Sequence, residues 1–354
     1  MKHRLKSILC PVVVTAMLLC MAVACGTTSI EENSNTVEEE IIEKEPIVVG
    51  FSQLGAESDW RSANTQSMKS SFTGLDGYTM IFDDGQQKQA NQIMAIRKFI
   101  QQEVDYIVLA PVTENGWDTV LQEAKDANIP VIIVDRRVNV EDESLFVCWI
   151  GSDFELEAQK ATEWLHQYAE NKKIPAQDIH IVNIQGTLGA SAQIGRTKGL
   201  QDAAEKYGWD LLAEVTGDFT QTKGKEVMKS LLQEYDNINV VYCENDNEAL
   251  GAIEALEEAG KKVGSNLING EVMVISFDGI NEKARSYVQE GKISCIAECN
   301  PSLGPRVRVT IDTVESGGVP DKYYYVNEEI FSANPNITSV TVDKKEYPVT
   351  IVAK

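Results

Sequence analysis

The sequence predicts an α/β fold made of two open layers in series, with a crevice between them. Three observations carry this. The strand-like segments are near-continuous apolar runs, as expected where helices cover both faces of a parallel sheet. They alternate with stretches of helical spacing, and this alternation runs through 47–134 and then starts again at 180. Roughly 300 residues lie beyond position 46, enough for two domains of ordinary size.

The elements follow in order. Ile47-Val48-Val49-Gly50-Phe51 reads as a buried strand, and 59–72 has helical spacing. Strands at 78–82, 106–110 and 131–134 alternate with helices at 88–103 and 117–127. Ile93, Ile96 and Ile100 repeat at helical spacing in the first of these helices. The pattern resumes with strands at 180–184, 211–215, 240–243 and 272–277, separated by helices at 191–207, 222–234 and 248–259. Asp246 is expected to cap the helix that starts at Glu248. Trp117 and Trp164 sit among apolar neighbours in helical stretches and are expected in the core.

Several strands end in polar side chains. Ile129-Pro130-Val131-Ile132-Ile133-Val134 runs into Asp135-Arg136, Val274-Ile275-Ser276-Phe277 into Asp278, and Val240-Val241-Tyr242-Cys243 into Glu244-Asn245-Asp246. In a parallel sheet that end of a strand opens onto the ligand crevice. A carboxylate only accepts and a guanidinium only donates, so the two side by side hold several hydroxyls in one fixed pattern. The three His, at 3, 166 and 180, are not paired with any Ser or Cys in these motifs. The strand ends therefore point to recognition of a polyol, and no catalytic residue is expected. Gly186-Thr187-Leu188-Gly189-Ala190-Ser191 lacks the Gly-Lys-Ser/Thr ending of a phosphate loop. No cofactor and no metal is expected; Cys295 and Cys299 have no matching His or Cys cluster.

The N-terminus sets the compartment. Lys2, Arg4 and Lys6 precede a mostly apolar run to Ala24, the pattern of a secretory signal peptide over 1–24. Ala22-Val23-Ala24-Cys25 resembles a lipobox, with Ala22 where Leu is usual. Cys25 would then be the lipidated first residue of an extracytoplasmic protein held at the cell membrane. Residues 25–46 are polar and acidic and read as a flexible tether. Losing residues 1–24 removes three bases and no acids, which takes the net charge from −22 to −25. So acidic a chain is a poor partner for nucleic acid or an anionic membrane face.

The polar segments together resemble the type I periplasmic sugar-binding proteins, the substrate-binding components of ABC importers, and most of all their galactofuranose binders. The resemblance rests on Gly50-Phe51-Ser52-Gln53 with Trp60-Arg61, Asp84-Gly85-Gln86-Gln87-Lys88-Gln89, Ala110-Pro111-Val112 and Asp135-Arg136. It continues with Gln185-Gly186 to Ser191, Gly217-Asp218-Phe219-Thr220, Glu244-Asn245-Asp246, Asp278-Gly279 and Glu298-Cys299-Asn300-Pro301, in family order over 47–318. It implies two Rossmann-like lobes with parallel sheets joined by a three-crossing hinge, the crossings falling near 151–152, 298–301 and 317–320. The N-terminal lobe would be 47–151 plus 300–320, and the C-terminal lobe 152–299 plus 321–354. The final segment, with Tyr323-Tyr324-Tyr325, would return to the second lobe.

The resemblance also implies a binding site. Trp60 and Phe219 would cover the apolar face of a sugar ring. Arg61, Arg136 and Arg196 would donate to its oxygens, and Asp135, Asn245, Asp278 and Glu298 would take its hydroxyls. Arg137 matches no ligand position. The implied function is capture of a neutral monosaccharide, a hexose such as galactofuranose, by hinge closure and delivery to an ABC permease, by a monomer. A sugar-sensing receptor for a membrane kinase or chemoreceptor is the alternative. A transcriptional regulator of this fold would carry a basic helix-turn-helix where this chain has its leader.

Overall fold

A computed structural model describes residues 45–74 and 77–352. The expected signal peptide, Cys25 and nearly all of the acidic tether lie outside the described residues. Among the described residues no helix is long and apolar enough to cross a membrane.

The first lobe is a six-stranded sheet. Its parallel strands are β1 (Ile47–Gln53), β2 (Tyr78–Asp84), β3 (Tyr106–Leu109), β4 (Val131–Val134) and β5 (Cys148–Gly151). Helices α1 (Asp59–Ser71), α2 (Gln89–Gln101) and α3 (Asp118–Asp126) connect them. β3, β4 and β5 are buried at every residue, which is why their sequences are continuous apolar runs and do not alternate.

The chain then crosses to the second lobe. α4 (Phe154–Lys172) leads into β6 (His180–Gln185), α5 (Ser191–Tyr207), β7 (Asp210–Thr216), α6 (Gln221–Glu234) and β8 (Val240–Cys243). α7 (Asp246–Glu258), β9 (Met273–Asp278), α8 (Glu282–Glu290) and β10 (Cys295–Glu298) complete its parallel part. A second crossing returns the chain to the first lobe, where α9 (Gly304–Glu315) packs on α1. β11 (Tyr323–Tyr325) follows, and then β12 (Ile330–Ser332), β13 (Ser339–Val342) and β14 (Lys345–Ile351).

The strand orders are β2-β1-β3-β4-β5-β11 and β7-β6-β8-β9-β10-β12-β14-β13. Each order reverses beside its first strand, between β1 and β3 and between β6 and β8. Such switch points open a crevice at the carboxyl ends of the strands. The final segment adds three strands to the second sheet, β12 pairing antiparallel with β10.

The tyrosine run departs from expectation. β11 pairs parallel with β5, so 323–325 is the outer strand of the first lobe, and the third crossing falls at 326–329 instead of 317–320. The reason is the open edge of β5. Trp149 N donates to Lys322 O and Val326 N to Gly151 O, both at 2.9 Å, so backbone groups that would lie unpaired on an edge are satisfied. The rings of Tyr323 and Tyr325 also pack against Trp149, with centroids 6.3 and 5.3 Å away.

A second departure concerns α7. Asn245 is its N-cap, its side chain accepting from Glu248 N at 2.8 Å, and Asp246 is already inside the helix. The Asp246 carboxylate accepts instead from Ser276 Oγ at 2.9 Å and Asn281 N at 3.2 Å, tying the starts of α7 and α8 to β9. Trp117 and Trp164 are fully buried in the core.

Candidate functional site

The carboxyl ends of both sheets face each other across a narrow cleft that residues of both lobes line. Eight of the nine residues singled out above line it: Trp60, Arg61, Asp135, Arg136, Arg196, Phe219, Asn245 and Asp278. Glu298 does not. Its carboxylate accepts from Glu329 N at 3.0 Å, beside the pairing of β10 with β12, and the next residue, Cys299, lines the cleft. Asn300, the next polar residue along this crossing, is also absent from the lining.

Each functional side chain is placed by a strand end or a helix start. The first turn of α1 carries Trp60 and Arg61, and Ser58 caps that helix by accepting from Arg61 N at 3.1 Å. Trp60 Nε1 donates to Cys299 O at 2.7 Å, which fixes the ring plane. Asp135 leaves β4 with φ of 62°, Phe219 sits after β7 with φ of 61°, and Asp278 ends β9 with φ of 88°. Left-handed backbone at a non-glycine residue costs on the order of 1–3 kcal/mol and gathers where geometry serves function. At Asp135 the surroundings enforce it: Asp135 N donates to Ile150 O, and Trp149 Nε1 donates to Asp135 O, each at 2.9 Å. A Cβ at Gly151 would stand 2.6 Å from that same carbonyl, so only glycine fits there.

The charges form two groups, one per lobe. On the first lobe, Arg61 lies 2.6 Å from Asp135 and 3.0 Å from Glu57, and Arg136 lies 3.6 Å from Glu57. Arg136 Nη1 also donates to Val112 O at 2.6 Å. On the second lobe, Arg196 donates to Glu157 at 2.8 Å, to Asp278 at 3.2 Å and to the Glu244 carbonyl. Burial works against the Arg61 charge, but Asp135 and Glu57 outweigh it and hold its pKa above the ordinary value. Arg136 goes the other way: burial, then the neighbouring Arg61 charge, push it down to about 10. Burial also raises the Asp278 carboxyl against the pull of Arg196. Glu57 Oε2 and Arg61 Nη1 are buried without a hydrogen-bond partner among the described residues, an acceptor and a donor side by side in the cleft.

Trp60, Phe154 and Phe219 supply the aromatic part of the lining. The Arg136 guanidinium stands 5.4 Å from the Phe219 ring across the cleft, and Arg61 4.7 Å from the Trp60 ring. Phe219 is seated on Gly186, where an added Cβ would come within 1.9 Å of Phe219 Cζ. The Gly186→Ala protein is therefore expected to fold with the ring displaced and to bind ligand at least tenfold more weakly by calorimetry. Unchanged affinity would show that Phe219 is not a contact surface.

Sequence reasoning missed Glu57, Ser58, Phe154, Ala192 and Cys299. A signal for the first was present: Glu57 stands four residues before Arg61, the spacing of a helical ion pair. Nothing comparable marks Phe154 or Ala192, which stand in the first turns of α4 and α5. Arg137 stays outside the cleft and lies 4.4 Å from the Trp149 ring. Cys295 and Cys299 belong to different core clusters.

A cleft lined by buried Arg–carboxylate groups and three aromatic side chains, at facing switch points of two parallel sheets, is built to enclose a small polar molecule. The chain belongs to the periplasmic binding protein family: the family model described as a periplasmic binding protein domain matches residues 49–303. The chain is 37% identical to the galactofuranose-binding protein YtfQ of Escherichia coli (strain K12), over 85% of this chain and 92% of that one. Among solved structures it resembles a galactofuranose binding protein, with a TM-score of 0.75 at 36% identity, covering 80% of this chain and 94% of that one. It also resembles the periplasmic component of the arabinose ABC transporter from Shewanella sp. ANA-3 bound to α- and β-L-arabinofuranose, with a TM-score of 0.74 at 38% identity, covering 80% and 91%.

Proposed function

We propose that the protein is the extracytoplasmic substrate-binding component of an ABC sugar importer, closing on a neutral monosaccharide in furanose form. The observation that carries this is the charge balance of the lining. Glu57, Asp135 and Asp278 face Arg61, Arg136 and Arg196, so the formal charges cancel and no net charge is left for an anionic or cationic ligand. Paired in this way, they still present acceptors and donors to hydroxyls, and Trp60 and Phe219 supply apolar surface for a ring. The names of the relatives support the furanose form: YtfQ is a galactofuranose-binding protein, and the Shewanella protein holds arabinofuranose. A solute receptor of this kind carries out no reaction. Lipid attachment at Cys25 would hold it, as a monomer, beside its permease.

Contacts across the cleft mouth support closure as the binding event. Asp59 N donates to Asn247 Oδ1 at 3.2 Å, and Asn281 Nδ2 donates to the Asp59 carboxylate. Glu114 N donates to Gly189 O at 3.1 Å, and Arg137 N to Ser191 Oγ at 2.6 Å. A ligand shifts the open–closed equilibrium only through contacts that differ between the two states. Removing one such latch, as in Asp59→Ala, is expected to weaken ligand binding about fivefold, roughly 1 kcal/mol. Stopped-flow fluorescence should place the loss in the dissociation rate.

A thermal-shift screen against neutral monosaccharides tests the assignment, because a ligand that binds only the native state raises the melting temperature. The expected result is a rise with galactose or arabinose, tracking the furanose fraction. A flat response across sugars, from a cooperatively folded sample free of carried ligand, overturns it.

A further inference from the structure

All three chain crossings meet at one side chain. Glu328 lies on the third crossing. Its Oε1 accepts from Ser152 Oγ on the first crossing and, at 2.8 Å, from Asn300 N on the second. Lys160 Nζ, from α4, donates to the Glu328 carbonyl at 3.0 Å. As a residue Glu328 is only partly buried, but its carboxyl is turned inward onto buried Ser152.

Beside it stands Glu157 of α4, 1% exposed. A carboxyl oxygen of Glu157, one of Glu328 and the Cys299 sulfur all lie within 4.8 Å of one another. Glu157 Oε2 holds Arg196 Nε at 2.8 Å, while Glu157 Oε1 has no hydrogen-bond partner among the described residues. A buried carboxylate oxygen without a donor is unfavourable, and two adjacent carboxylates in a dry site do not both ionise readily. Other charged and titratable groups relieve this only in part, because burial outweighs the pull of Arg196 and Lys160 on Glu157. Arg196, from α5, is shared between Glu157 and Asp278 at the end of β9. Lys160 is directed at the Glu328 carbonyl; burial and Lys345 of β14 oppose its charge, while the Glu328 and Glu157 carboxyls, and less so Asp153 of the first crossing, favour it. Cys299, on the second crossing, is buried and its thiol is pushed up by that burial.

We propose that Glu328 is a positioning residue for the binding arginine: its carboxyl, held by all three crossings, carries a proton and donates it to Glu157 Oε1, which keeps Arg196 directed into the cleft. The hinge and the second-lobe half of the site are thereby joined through one hydrogen bond. Burial, then the adjacent Glu157 charge, push the Glu328 carboxyl up to about 9. Above that pH the proton leaves to solvent, a second negative charge appears beside Glu157, and Arg196 is drawn toward the hinge.

The sign of the effect on stability follows from linkage. The folded pKa of Glu328 is raised, so its contribution to stability is full below the unfolded carboxyl value and is lost as pH rises through the folded one. The test compares the wild-type protein with Glu328→Gln and Glu328→Ala, without ligand. Glutamine keeps an acceptor for Ser152 and Asn300 and a donor for Glu157, but does not titrate. Between about pH 5 and 9 the wild-type melting temperature is expected to fall relative to that of Glu328→Gln, and the gap to stay constant above. An arginine Nε–H resonance, that of Arg196, should shift with a midpoint near pH 9 in the wild type and stay fixed in Glu328→Gln. Glu328→Ala should be less stable at every pH, separating the tie between crossings from the proton. Parallel melting profiles for wild type and Glu328→Gln, or an Arg196 resonance that does not move, overturn the proposal. Neither readout uses a sugar, so this failure is distinct from a failure of the ligand assignment.

Discussion

Replacing Asp135 by asparagine is expected to lower sugar affinity by about 100-fold or more, on the order of 3 kcal/mol, and to leave the fold intact. Asp135 is buried, its backbone is pinned by β5, and its carboxylate lies 2.6 Å from Arg61. Asparagine has the same shape and keeps the backbone hydrogen bonds. It removes the charge that holds Arg61 in place and replaces an acceptor with a donor. Asp135→Ala goes further by emptying the position and should abolish binding while the protein still melts cooperatively. Calorimetric titration with the sugar identified by thermal shift checks both. Near-wild-type affinity in either would sink the site assignment.

Arg196→Met is expected to be the most damaging single change in the second lobe. It leaves Glu157 and Asp278 buried without their cation, and removal of one partner from a buried pair costs about 3–5 kcal/mol. It also leaves the Glu244 carbonyl without its donor. Urea unfolding should show a lower midpoint, and no sugar should protect the variant. A loss below about 1 kcal/mol would mean that the buried carboxyls are satisfied by protons instead of the guanidinium.

The fold was legible where burial is uniform. Strands β3, β4 and β8 are continuous apolar runs because helices cover both faces, and α5 falls on the residues its spacing predicts. Of the segment between the two alternations only the helical stretch around Trp164 was legible. α4 buries Glu157, Lys160 and Thr162 along with Ala161 and Trp164, so its core-facing stripe is interrupted by charge. That charge serves the hinge, and no local pattern reports a partner more than 100 residues away. β11 failed for a related reason. Three tyrosines signal a strand, but the choice between two sheets is made by the open edge of β5. The site was readable at strand ends, where Asp135, Asn245 and Asp278 interrupt apolar runs. It was unreadable at Glu298, because one residue of strand alternation decides which of Glu298 and Cys299 faces the cleft.

The route of the chain has a consequence for when the molecule can fold. The first lobe lacks its outer strand until residues 323–325 arrive, and α1 lacks its packing partner until α9 arrives. The amino-terminal half therefore cannot complete a stable unit during synthesis, because the contacts that finish it lie 174 to 237 residues downstream. If residues 1–24 act as a secretory signal, this long-range dependence would delay collapse until nearly the whole polypeptide is available. Truncation before β11 should accordingly yield an aggregating product instead of a free-standing first lobe.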